Sequence, residues 1–177
     1  IFRKAKAIVS GKSYLFFANN KIAVPHASTM SYGYVKTTGV VDDNDHITTQ
    51  GRNAFTITEE DGGYVIRQVS DGRVLYMMDD HNSFQVGADK PKSGHVWEAK
   101  LNSDGEFVFT NKEKKKTIQF DPEYGTFASY PDFRGVYPCL YECISETVSP
   151  VDPTLKGMPK WLELPETKDN DGLDFYT

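Results

Sequence analysis

The first 146 residues alternate short apolar runs with polar turns, and nowhere among them do apolar residues recur at i, i+3, i+4 and i+7 between caps. The runs in the first half are Ser13-Tyr-Leu-Phe-Phe17, Ile22-Ala-Val24, Tyr34-Val-Lys-Thr-Thr38, Ala54-Phe-Thr-Ile57, Tyr64-Val-Ile-Arg-Gln68 and Val74-Leu-Tyr-Met-Met78. Ser83-Phe-Gln-Val86, Val96-Trp97, Phe107-Val-Phe109, Thr117-Ile-Gln-Phe120, Thr126-Phe127 and Leu140-Tyr141 follow. Between them stand Asn19-Asn20, Asp61-Gly-Gly63, Asp71-Gly72 and Asn102-Ser-Asp-Gly105, residue types that close turns. Short β-rich runs about ten residues apart predict a sandwich or a barrel.

An internal repeat chooses between them. A shift of 43 residues lays Tyr64 on Phe107, Val65 on Val108 and Ile66 on Phe109. The same shift lays Leu75 on Ile118, Met77 on Phe120, Phe84 on Phe127 and Trp97 on Leu140, without a gap. The turn Asp61-Gly62 falls on Asp104-Gly105. A looser first unit runs through Ser13–Phe16, Ile22–Val24, Tyr34-Val35 and Phe55, with extra residues around Val40 to Gln50. Three units of about four short strands each predict an all-β, β-trefoil-like barrel with an extended C-terminal tail. A propeller would need at least four blades.

After Glu146 the character changes. Val148-Ser-Pro-Val-Asp-Pro153 and Met158-Pro159 read as a stiff, extended linker. The expected organisation is a module over 1–146, a Pro-containing linker over 147–160, and the start of a following domain over 161–177, cut short at Thr177. Trp161, Leu162 and Leu164 carry enough apolar surface that the tail is expected to dock on the module or on a neighbouring chain.

Composition limits the chemistry. Tyr 10, Phe 11 and Trp 2 supply enough large side chains for a packed core, which argues against wholesale disorder. A net charge of −5 opposes a general nucleic-acid footprint while leaving room for a local basic patch. No run approaches the roughly 20 apolar residues of a membrane helix. Cys139 and Cys143 on one strand would lie about 13 Å apart, too far for a disulfide, so free thiols are expected, and no second pair of Cys or His makes them a zinc site. No Gly-x-Ser-x-Gly elbow, phosphate loop or dinucleotide fingerprint is present.

Two polar stretches are candidate ligand sites. Asp79, Asp80, His81 and Asn82 join two predicted strands near Tyr76, and such a cluster suits a sugar; a plain strand-joining turn is the competing reading. Tyr124, Tyr130 and Phe133, with Asp132 and Arg134, form a possible aromatic platform for sugars or bases; packing over the barrel mouth competes with it. The Gln-x-Trp triplet of ricin-type trefoils is absent: Asn53-Ala-Phe55, His95-Val-Trp97 and Pro138-Cys-Leu140 stand in its place, and Trp97 reads as core. Asp42-Asp-Asn-Asp45 and Asp169-Asn-Asp-Gly172 are oxygen-rich, yet both read as solvated loops rather than Ca²⁺ sites. Lys112-Glu-Lys-Lys-Lys116 reads as a charged hairpin tip rather than a phosphate contact.

Gly157-Met-Pro-Lys-Trp-Leu-Glu-Leu-Pro165 followed by Leu173-Asp-Phe-Tyr-Thr177 resembles the lead-in to the catalytic domain of secreted bacterial DNA/RNA non-specific endonucleases, the ββα-metal nucleases. Ser10-Gly-Lys-Ser-Tyr-Leu15, Tyr32-Gly-Tyr34, Asn53-Ala-Phe55, Gly62-Gly-Tyr64, Asp71-Gly-Arg73 and Ser129-Tyr-Pro-Asp132 resemble a domain of secreted proteins from gut anaerobes. The first resemblance implies a non-catalytic accessory or binding module ahead of a nuclease domain; the alternative is a lectin-like module of a cell-surface protein. Glycan or nucleic acid is the expected partner, with the following catalytic domain in the same natural chain. The implied location is secreted, periplasmic or cell-surface, although this chain, which opens on Ile1, carries no targeting signal itself. The nuclease family's Asp-Arg-Gly-His segment is missing and the last histidine is His95, so no catalytic residue carries over. No cofactor or metal is expected; Mg²⁺ would belong to the nuclease domain.

Overall fold

Polar pairs with left-handed backbone set where the strands turn. Asn19 and Asn20 (φ 51° and 61°), Asn44 and Asp45 (51° and 64°), and Asp61 and Gly62 (55° and 84°) each supply the two positive φ angles of a tight hairpin turn. The computed structural model describes residues 1–27, 33–78 and 81–145. Ile1–Ser145 forms one compact unit; the second unit, 146–177, with the expected linker and following segment, lies outside the described residues.

Fourteen strands make up the described part: β1 (Phe2–Lys4), β2 (Lys12–Ala18), β3 (Lys21–Ala23), β4 (Thr37–Gly39), β5 (His46–Ile47), β6 (Phe55–Glu60), β7 (Gly63–Gln68), β8 (Val74–Tyr76), β9 (Gln85–Gly87), β10 (Trp97–Leu101), β11 (Phe107–Asn111), β12 (Thr117–Asp121), β13 (Thr126–Tyr130) and β14 (Cys139–Cys143). A single 3₁₀ turn, Gly51–Asn53, is the one helical element among them.

Antiparallel ladders run β11-β10-β7-β6-β2-β14. The Phe107 N–H donates to the Pro138 carbonyl at 2.7 Å, which closes the six strands into a barrel. Three hairpin extensions, β3/β4, β8/β9 and β12/β13, cap one end. They tie to one another: Val35 and Phe127 exchange both backbone bonds (2.9 and 2.8 Å), and Phe84 N–H reaches Gly33 O at 2.9 Å. This is the expected all-β, β-trefoil-like architecture, with two barrel strands and one cap hairpin per repeat.

The core repeats in threes, by equivalent positions of the repeats. Phe16, Ile66 and Phe109 form one set, Phe55, Trp97 and Leu140 a second, Ala23, Leu75 and Ile118 a third, and Val35, Phe84 and Phe127 a fourth, all buried in one cluster. Sizes differ within a set: Trp97 corresponds to Leu140, and Ala23 to Leu75 and Ile118. Members of these sets line a void of about 10 Å³ with only apolar walls, too dry to retain a water.

A second, smaller core lies apart from the first. Leu15, Ile22 and Tyr141 are covered by Phe2 of β1 and Ile47 of β5, with Cys139 and Cys143 packed alongside. The extra residues of the first repeat thus make β5, which pairs with β1. Asp43 and His46 exchange backbone bonds at 2.8 and 3.0 Å, so the acidic run Asp42–Asp45 is a hairpin turn. Both cysteines are free thiols, as their spacing predicted.

Candidate functional site

Because the fold repeats, each repeat is a control for the others. Strand register aligns Thr117 with Val74, and Tyr130 with Gly87. Gln119, Asp121, Tyr130 and Arg134 of the third repeat therefore correspond to Tyr76, Met78, Gly87 and Pro91 of the second. The backbone is satisfied by either set, so the polar set is there for something other than the strand pairing.

Asp121 ends β12 and is buried. One carboxylate oxygen accepts the Glu123 N–H at 2.9 Å, which shapes the turn into β13, and the Gly125 N–H closes that turn on Asp121 O at 2.8 Å. Its other oxygen accepts the Tyr130 hydroxyl at 3.1 Å and faces Arg134 Nη2 at 3.4 Å. The Arg134 guanidinium lies 4.4 Å over the Tyr130 ring, a favourable cation–π stack. Burial, and then the Asp121 carboxylate, push the Tyr130 phenol well above its ordinary range, so it remains a donor.

Fully buried Gln119 fixes the loop beyond. Its Oε1 accepts the N–H groups of Arg134 (2.9 Å) and Gly135 (3.0 Å). Its Nε2 donates to Thr117 Oγ1 at 2.8 Å and Asp132 O at 2.9 Å. Gly135 passes so close to β12 that a Cβ there would meet Phe120 O at 2.1 Å. The loop so held presents Phe133, 64% exposed, packed against half-buried Tyr137 with ring centres 4.9 Å apart and planes tilted by 46°. Half of the Arg134 side chain also remains exposed.

The expected platform is thus redistributed. Tyr124 is exposed on the β12–β13 tip, whose Gly125 carbonyl accepts Thr37 Oγ1 at 2.5 Å. Tyr130 is buried and supports Arg134 instead of offering a face to solvent. Tyr137, not singled out from sequence, joins Phe133; the 43-residue comparison would have flagged it, since its counterpart is Gly94. Of the other stretch, Asp79 and Asp80 lie outside the described residues. Tyr76 stays in the second repeat, half-buried against Gly87. The His81 carbonyl takes Lys116 Nζ at 3.2 Å and the Asn82 carbonyl takes the Ser129 N–H at 3.2 Å, so Asn82 borders β13.

A charged cluster absent from the sequence reading surrounds the Asp61-Gly62 turn, beside a groove of about 500 Å³. Asp61 bonds His95 Nε2 at 2.9 Å and Lys90 Nζ at 3.0 Å. Glu60 pairs with Arg67 at 2.5 Å and Lys90 at 3.2 Å. The Arg67 bond first, then Thr58, pulls the Glu60 carboxyl down to about 2. These partners satisfy one another and staple the loop before β10 to the β6–β7 turn. Among the described residues no three His, Cys, Asp or Glu side chains gather as a metal site.

No protein-family model and no curated protein sequence matches the chain. Solved structures do. The fold is similar to a GlcNAcα1-4Gal-releasing endo-β-galactosidase from Clostridium perfringens (13% identity, TM-score 0.54), of which this chain spans 31%, with 73% of its own length covered. It is similar to the designed three-fold symmetric protein ThreeFoil (13% identity, TM-score 0.55, 75% of this chain and 99% of that one). It is also similar to the Polyporus squamosus lectin bound to a human-type influenza-binding epitope (13% identity, TM-score 0.53, 76% and 49%). Such distant likenesses establish the fold alone: an all-β, β-trefoil-like protein.

Proposed function

We propose that this protein is a non-catalytic, carbohydrate-binding module whose site is the Phe133–Arg134–Tyr137 surface of the third repeat. The carrying observation is an exposed Phe133, packed against half-buried Tyr137, on a loop held by a buried polar network that the second repeat lacks. Aromatic faces pack against the C–H face of a sugar ring, and fixed polar groups beside them take its hydroxyls. Rigidity matters because a preordered loop loses little entropy on binding. Two of the similar structures are named as a galactosidase and a lectin, which supports the reading. The net charge of −5 disfavours nucleic acid as the ligand.

A glycan array tests it: the protein is expected to retain a defined subset of glycans, and Phe133→Ala to lose them with thermal stability unchanged. Retention of none, or equal retention by the variant, overturns the proposal. Attachment to a non-specific endonuclease is a separate proposal, resting on the likeness of residues 157–177 alone. An Asp-Arg-Gly-His segment in the gene downstream of Thr177 is its expected sign.

A further inference from the structure

Arg134 occupies the position of Pro91 in the second repeat, and it is fixed from several sides. Its own N–H and that of Gly135 both bond Gln119 Oε1. Its guanidinium rests on Tyr130, and Nη2 faces Asp121 at 3.4 Å. Asp121 already accepts shorter bonds from Glu123 N–H (2.9 Å) and Tyr130 OH (3.1 Å). Nη2 is thus the charged partner of buried Asp121 at the long end of an ion pair, which leaves the rest of the guanidinium free to point outward, and half of the side chain stays exposed beside Phe133.

We infer that the outward edge of Arg134 receives the carboxylate of an acidic sugar, a uronate or a sialate, whose ring lies on Phe133. This rests on the glycan reading above and narrows its ligand class. A guanidinium presents parallel N–H donors that match a carboxylate in a bidentate fork, which a hydroxyl cannot fill. Stacking on Tyr130 fixes the fork in advance, so less freedom is lost per hydrogen bond formed. A net charge of −5 repels a polyanion, whereas a singly charged sugar needs one fork only.

The test is calorimetric titration with a panel of oligosaccharides in matched pairs, one member carrying a uronate or sialate carboxylate, the other with that carboxyl reduced to an alcohol. The wild-type protein is expected to bind at least one carboxylate form about tenfold more tightly than its reduced partner, the gain of a charged hydrogen bond over a neutral one. Arg134→Gln should erase that ratio by weakening the carboxylate form far more than its reduced partner, and Arg134→Lys, which keeps the charge and loses the fork, should restore part of it. If reduced partners bind as well as carboxylates, the acidic ligand is refuted and the glycan module stands. If no member of the panel binds, both fall. The wild-type ratio decides even where a variant fails to fold.

Discussion

A methyl group placed on Gly94 would lie 2.0 Å from the Met77 carbonyl oxygen, and the residue's φ is +89°. Both facts forbid a side chain, because the Met77 N–H bonds back to Gly94 O at 2.8 Å and locks the approach. Gly94→Ala is expected to lower the unfolding free energy by more than about 1 kcal/mol, read from urea denaturation; an unchanged midpoint would remove this explanation. Glu60 gives a residue-scale pH effect. Its carboxyl titrates near 2 in the folded chain against an ordinary 4.5. A depressed carboxylate stabilises fully above the ordinary value and progressively less as pH falls toward the folded one. Melting temperature should therefore drop between pH 4.5 and 2, and Glu60→Gln should flatten that drop while melting lower at pH 7. Parallel curves for the two proteins would contradict it.

At the scale of elements, β1 and β5 do unequal work for their size. Phe2 is 1% exposed and Ile47 equally buried, and they cover Leu15, Ile22 and Tyr141 outside the main core. Phe2→Ala should cost about 3–5 kcal/mol, as for other buried phenylalanines, measured by chemical denaturation. A cost below 1 kcal/mol would mean that the second core contributes nothing. This element was only half legible in the sequence. The gapless 43-residue match exposed repeats two and three because each apolar position there faces the same threefold core. The first repeat matched loosely because its insertion answers to β1 instead, a partner distant in sequence. The run read from the sequence stopped at Phe127, whereas β13 continues to Tyr130, and Phe127, Ala128, Ser129 and Tyr130 are all buried. A strand covered on both faces has no period of two to mark its length, so Tyr130 was read as part of the loop beyond when it is enclosed. The charged cluster around Asp61 was illegible for a different reason: its members come from β6, β7 and the loop before β10, brought together only by folding.

For the molecule as a whole, the two ends of the described unit meet. The Ile1 amino group donates to Ser145 O at 2.7 Å, and the Ile144 N–H donates to Ile1 O at 2.9 Å. A short Gly-rich bridge from Ser145 to Ile1, with new ends opened between Asp104 and Gly105, should give a circular permutant that folds to the same barrel. Near-UV circular dichroism matching the parent would show it, and a molten spectrum would not. The same meeting of ends fixes how the unit answers to force. β1 lies antiparallel to β14, with Phe2 opposite Cys143 and Lys4 opposite Tyr141, so both ends emerge at one extremity of the ladder. Tension applied there separates the pairs one after another instead of sliding the strands past each other under a shared load. Once β1 has peeled, the pull reaches Glu142 opposite Tyr14 and works back along β14 towards Cys139. Mechanically the unit is a zipper whose slider sits at its own termini, and the barrel would come apart along the seam that β14 closes.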